Sequence, residues 1–289
     1  MLRRTVRKAA NALLNPFGLE LTRTSMDLDA LLAPGNRRDM LFHEAASHAS
    51  TWLEGRSIFP TYSNFDVEKE VRAFFEDYMI SPFRNPNGGS RFGNLLWLNL
   101  LAKAAAPDVI VDSGSFRGGS AWALRRGSPA SRVLSFDIDL SQLLLRVPGV
   151  EYIQSDWMDF PFSGEDILCY FDDHIDQCRR LRESAARRVS VAVFDDDFSI
   201  SQFPPMAHGG FSLPKLSFCF DDTLEDGEVI AWNEGDVHHE WIVPKTELEA
   251  VRALIARYER LPDISIPFGI DQLPYSIALL RKSAGSLIE

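Results

Sequence analysis

Cysteine is scarce in this chain of 289 residues: Cys169, Cys178 and Cys219 are the whole complement. An odd number without metal-site spacing argues against a disulfide framework and a zinc site, and makes a reducing cytoplasm the simplest setting. Positive charge is also short. The sequence has 30 Lys and Arg against 41 Asp and Glu, a formal net charge of -11, so nucleic-acid binding through a broad basic surface is not expected. No run of about 18 uninterrupted apolar residues occurs, so no span across a bilayer is expected. Internal repeats and low-complexity tracts are lacking as well. What is present, 45% hydrophobic and 25% charged residues, is ordinary globular composition, enough for one sizeable domain with extensions.

The first residues depart from the acidic average. Arg3, Arg4, Arg7 and Lys8 are set against Leu2, Val6, Ala9, Leu13 and Phe17 at helical spacing. Two readings of residues 1–20 stand: an amphipathic helix on an anionic membrane surface, or a helix packed on its own domain or a second subunit. Basic residues contribute about 1 kcal/mol each near such a surface. The stretch lacks the continuous apolar core and cleavage site of a secretory signal.

From Leu95 onward the pattern is regular. LLWLNLLAKAA reads as a buried helix, VIVDSG as a strand, and Ser120 to Arg126 as a helix. VLSFDID, VEYIQSD, ILCYFDD and VSVAVFDDD follow as strands, with a helix from about 175 to 187 before the last. Strands alternating with helices predict an α/β fold with a mostly parallel, doubly wound sheet covered on both faces. Each strand ends in a carboxylate, at the edge where open α/β sheets bind ligands. The stretch around residues 200–243 is irregular and reads as an insertion over that edge. Residues 244–261 read as one helix and 274–282 as a closing strand.

The turn DSGSFRGGS carries Gly114, Gly118 and Gly119. A dinucleotide turn wants G-x-G-x-x-G, whose second glycine lets backbone approach a pyrophosphate. Phe116 occupies that place, and the preceding Asp112 would repel a phosphate. This turn resembles motif I of the class I S-adenosylmethionine-dependent methyltransferases. An aromatic in mid-loop and a serine opening the helix make it similar to the catechol and caffeoyl-CoA O-methyltransferases, the bacterial sugar O-methyltransferases and the cephalosporin-hydroxylase-like group. The resemblance implies a Rossmann-like domain over 61–289, with residues 1–60 as an N-terminal helical extension. It implies S-adenosylmethionine as cofactor. Asp112, Gly114, Ser115, Phe116, Gly118 and Ser120 would hold its methionine part. Asp137, with Asp139 as competitor, would accept the ribose hydroxyls; Ser155, Asp156 and Trp157 would meet the adenine.

YFDDHID and VFDDDFS place further acids on two strand tips. Crowded carboxylates raise one another's pKa unless a cation intervenes, and all-oxygen ligation suits a hard ion. By likeness to the metal-dependent enzymes, Asp172, Asp195 and Asp196 would bind a divalent cation, Mg2+ foremost. The lysine base of the catechol type is missing after the first of these acids. His174 is the candidate base, with Asp173 as alternative and a purely structural role for His174 close behind. His208, His238 and His239 show no ligand pairing, and Trp232 and Trp241 read as half-buried packing.

The expectation is O-methylation of a small hydroxylated acceptor, a sugar or glycan unit, with metal assistance. A nicotinamide-dependent oxidoreductase and a non-catalytic partner protein of the same fold are the rivals. Nucleic acid is not an expected partner; peripheral membrane contact through residues 1–20 and self-association remain open.

Overall fold

A computed structural model describes residues 36–54, 64–84, 89–202, 213–234, 237–268 and 272–281. The basic stretch 1–20 and His208 lie outside these residues.

The expected strands are β1 (Val109–Ser113), β2 (Arg132–Asp137), β3 (Val150–Gln154), β4 (Ile167–Phe171) and β5 (Val191–Phe194). They pair in parallel in the order β3-β2-β1-β4-β5. Two more strands, β8 (Ile255–Arg260) and β9 (Ser276–Leu280), complete a seven-stranded sheet, with β9 antiparallel between β5 and β8. This is a doubly wound, mostly parallel, Rossmann-like sheet. The strand order reverses between β1 and β4, which opens a crevice at their carboxyl ends.

Alternation along the strands builds two cores. Ile110, Val133, Leu168 and Val193 face one apolar layer. Val111, Leu134, Cys169 and Phe194 face the other. The first layer is covered by helices α1 (Asn36–Glu54), α2 (Val67–Ile80), α3 (Phe92–Ala105) and α4 (Gly119–Gly127); the second by α5 (Gln177–Ala186) and α6 (Lys245–Ala253). Thus α1 packs directly on α2 and shares the main core.

Two elements depart from expectation. The helix read over 244–261 ends at Ala253, and Ile255–Arg260 forms the edge strand β8. Residues IARYER alternate as well as they helix, and β9 would otherwise lack a partner on that side; pairing across the sheet overrides local propensity. Within the irregular insertion, β6 (Val229–Glu234) and β7 (Val237–Ile242) form a separate two-stranded sheet. Trp232 is buried there and Trp241 packs on Phe218. His238 is exposed and bonds Asn233 and Glu240.

Helix α3 is buried almost throughout, so its polar side chains need internal partners. Asn94 donates to the Leu273 carbonyl and accepts from the Leu273 N–H, at 3.0 and 3.1 Å. Trp97 donates to the Pro262 carbonyl at 2.8 Å. Asn99 donates at 2.9 Å to Glu70 of α2, which also takes Lys103 of α3 at 2.6 Å and Arg126 of α4. One carboxylate therefore joins three helices.

Removing a buried partner leaves its counter-charges uncompensated. Glu70→Ala is expected to cost about 2 kcal/mol or more and to lower Tm clearly further than Glu68→Ala, whose pair with Arg72 is more exposed. Equal Tm losses for the two variants in thermal denaturation would contradict this.

Candidate active site

The turn after β1 is shaped by two glycines. Gly114 has φ +105°, and a Cβ there would collide with the Asp172 carbonyl, because the β4 tip crosses directly over it. Gly118, at φ +87°, caps α4 with no side-chain bond. The first amides of α4 are thus left for an anionic group. Between these glycines Phe116 is forced to φ 39°. His174 and Asp196, just beyond β4 and β5, also have positive φ, at 55° and 52°. Non-glycine residues in this region mark strain, which collects at functional sites.

A cleft of about 320 Å³ opens at this switch point. Gly114, Ser115, Phe116, Arg117, Gly119 and Ser120 line one side, Ser90, Leu95 and Asp172 the other. Four of the cofactor residues expected from the sequence, Gly114, Ser115, Phe116 and Ser120, meet here. Asp112 itself is fully buried beneath the turn. It accepts from Ser135 Oγ at 2.6 Å, and Ser135 in turn bonds Ser115 Oγ at 2.6 Å. Asp112 therefore holds the turn from below. Burial pushes its carboxyl up to about 7, opposed by the Ser135 hydroxyl and reinforced by Asp137 and Asp173. Arg117 Nε is buried without a hydrogen-bond partner.

Asp137 ends β2 beside the cleft. Its Oδ2 accepts the Phe116 N–H at 2.7 Å and its Oδ1 the Asp139 N–H at 3.0 Å. Each oxygen keeps a second lone pair. The competitor Asp139 instead caps the following turn by accepting from the Ser141 N–H at 2.9 Å. Ile138 stands 82% exposed between them.

The expected adenine group is arranged differently. Trp157 is fully buried against Phe162 and Phe171, with Arg187 over its ring, and offers no open face for stacking. Ser155 donates to the Asp156 carbonyl at 3.1 Å. Asp156 holds Arg180 at 2.7 Å and accepts from the Met158 N–H at 2.8 Å. Arg180 of α5 is the residue the sequence conceals. Its side chain is 3% exposed and also binds Asp173 at 2.9 Å and Glu183 at 2.6 Å. Burial lowers its pKa, but the three acids outweigh this and raise it. Asp173 accepts from Ser113 Oγ at 2.6 Å and the Ile175 N–H at 3.2 Å as well. Asp173, expected as the alternative base, is thus engaged by Arg180, Ser113 and the Ile175 N–H.

A second pocket of about 230 Å³ is lined by Asp172, Asp173, His174, Gln177, Asp195, Asp196 and Lys215. Asp172 lines both pockets. Burial raises the pKa values of both Asp172 and Asp195, with repulsion from Asp196 adding to it at Asp172 and repulsion from Asp172 and Asp196 at Asp195. Asp195 Oδ1 already accepts the Asp196 N–H at 2.7 Å. Tyr170 donates to Asp195 Oδ2 at 3.4 Å, and its hydroxyl contacts those of Tyr275 at 2.6 Å and Ser90 at 3.2 Å. Among the described residues no three His, Cys, Asp or Glu side chains are arranged to hold a metal. Asp172, Asp195 and Asp196 do come together as expected, but the residues do not fit the divalent cation, and a buried lysine shares their pocket.

No protein-family model matches the chain, and no curated relative matches it. Solved structures similar to it include an SAH-bound Podospora anserina methyltransferase, PaMTH1, at 13% identity and TM-score 0.40, covering 86% of this chain and 98% of that one. An O-methyltransferase from Bacillus cereus in complex with SAH matches at 12% identity and TM-score 0.40, covering 81% and 97%. The 23S rRNA methyltransferase ErmE matches at 12% identity and TM-score 0.38, covering 70% and 72%. Likenesses this distant say nothing of this chain's activity or acceptor.

Asp112 sets a pH dependence with a definite sign. Below its ordinary value of 3.8 the carboxyl is protonated in folded and unfolded chains alike; between 3.8 and about 7 only the unfolded chain ionises. Stability then falls as pH rises through this window. Asp112→Asn keeps an acceptor for Ser135 and removes the titration. Relative to wild type, the variant should gain up to about 3 kcal/mol between pH 5 and pH 8. Urea denaturation at the two pH values checks this, and a difference that stays constant or moves the other way would refute it.

Proposed function

We propose that the protein is an S-adenosylmethionine-dependent methyltransferase acting on the oxygen of a small hydroxylated acceptor. The observation that carries the reading is the charge pattern of the switch-point cleft. Arg117, whose Nε is buried without a hydrogen-bond partner, and Asp172 both line it, and the helix α4 that begins there has no side-chain cap. This suits the carboxylate and ammonium of an amino-acid moiety. Phe116, held at φ 39° in mid-turn, stands where a pyrophosphate would have to cross, which disfavours the nicotinamide reading.

The cofactor supplies a methyl group on a sulfonium, which leaves as a neutral thioether. Everything else falls to the chain's own residues. Asp137, fixed by the Phe116 N–H, has free lone pairs for two ribose hydroxyls. Ile138 offers an apolar face next to it. Arg117, Ser115 and the α4 amides orient the methionine end. The acceptor enters the second pocket, which shares Asp172 with the first. A ring nitrogen of His174, exposed at the pocket's rim, takes the hydroxyl proton as the acceptor oxygen bonds to the methyl carbon and the carbon–sulfur bond breaks. Asp173, occupied by Arg180, keeps the backbone next to His174 in place. A sugar acceptor is an inference from family likeness alone.

Asp137→Ala should bind S-adenosylhomocysteine at least about tenfold more weakly in calorimetry, since hydrogen bonds to a charged group contribute about 1.5–3 kcal/mol each. NADH should show no comparable binding to the wild type. Tight NADH binding with no heat from S-adenosylhomocysteine would overturn the reading. His174→Ala should bind the cofactor product as wild type does and lose about 10²-fold or more in turnover. Undiminished turnover in that variant would move the base elsewhere.

A further inference from the structure

Lys215 is the only lysine between Lys103 and Lys245. It is 1% exposed, deep in the second pocket. Burying an ammonium is costly unless opposite charge surrounds it. Burial lowers the Lys215 pKa, and Asp196, Asp197, Asp195 and Asp172 oppose that shift. The backbone on either side is pinned. The Gln177 N–H donates to the Pro214 carbonyl at 3.2 Å, and Gln177 Oε1 accepts the Leu216 N–H at 2.8 Å. The same Gln177 grips the Asp195 carbonyl through Nε2 at 2.6 Å. Ser217 then binds Asp197 Oδ1 at 2.8 Å and the Phe198 carbonyl at 2.7 Å. One side chain of α5 thus registers the lysine segment against the tip of β5.

From this placement we infer that the Lys215 ammonium is the resident cation of the β4 and β5 tips, standing where related chemistry uses a divalent metal, and that it faces the acceptor oxygen. The inference rests on the methyltransferase reading. Two observations meet in it: among the described residues no three acids are arranged to hold a metal, and a buried lysine already lies in the pocket they line. A metal entering the pocket would sit against a like charge. Lys215 carries one charge and three donors on a single nitrogen. It can orient one acceptor oxygen but does not chelate two, so the acceptor need not be a vicinal diol.

The test is Mn2+ binding to the full chain, followed by electron paramagnetic resonance, for wild type, Asp195→Asn, Lys215→Met and the double variant. Wild type should leave Mn2+ free. Lys215→Met, with carboxylates stripped of their cation, should bind Mn2+ at least about tenfold more tightly, and Asp195→Asn should abolish that gain. Either a wild-type Mn2+ site that disappears in Asp195→Asn, or a folded Lys215→Met without a gained site, overturns the inference. Wild type decides alone if Lys215→Met does not fold: its Tm should be the same in EDTA and in millimolar Mg2+, and a rise in Mg2+ that Asp195→Asn removes counts against Lys215. S-adenosylhomocysteine titrations on the same samples keep the two claims apart. Their failure in wild type removes the methyltransferase reading, whereas the Mn2+ result judges the lysine.

Discussion

Like charges crowded at one edge of a sheet are the constraint around which this molecule is built. The tips of β1, β2, β4 and β5 bring Asp112, Asp137, Asp172, Asp173, Asp195, Asp196 and Asp197 toward a single crevice. Such an edge is stable only if each acid is neutralised, paired or protonated. The structure uses all three solutions. Asp156 and Asp173 share Arg180. Asp172 and Asp195 have raised pKa values, and Lys215 lines the same pocket. Asp112 is buried under the turn with its pKa raised. Asp137 is left with its oxygens on backbone amides and open to the cleft.

That division separates architecture from chemistry. Arg180 ties the end of β3 to the end of β4 and keeps two acids out of the reaction. Gln177, one turn earlier on the same helix, places Lys215 against β5. Under the proposed reading, what is left to meet ligands is small: Arg117, Asp172 and the α4 amides in the first pocket, and His174 at the rim of the second. The positive φ values of Phe116, His174 and Asp196 lie on the three loops that meet there. The strain is concentrated where ligands are expected to bind.

Much of this was legible in the sequence. The strand order of apolar segments, the glycines of the first turn and the acids at the strand ends follow from local patterns with periods of two and 3.6. The fate of each acid did not follow, because its partner comes from a distant element. Asp156 reads as a ligand contact until Arg180, 24 residues on, is seen to occupy it. Lys215 carried a signal in hindsight, as a solitary lysine flanked by Pro214 and Leu216 in a lysine-free stretch. Trp157 follows a strand-end acid and looks available, but Phe162 and Phe171 enclose it. The segment after Ala253 was misread for a related reason: whether IARYER winds or extends depends on β9 needing a neighbour, which no local propensity records.

A crystal structure of the protein with S-adenosylhomocysteine is the most direct test of the central claim, that the switch-point cleft is an amino-acid and nucleoside site rather than a dinucleotide site. The account predicts ribose hydroxyls within hydrogen-bond distance of Asp137, with the amino-acid end between Arg117 and Asp172 beneath the turn at Gly114. Density for the ligand elsewhere on the molecule, or a crevice that accepts NADH with its pyrophosphate over Phe116 and rejects the thioether, would contradict it.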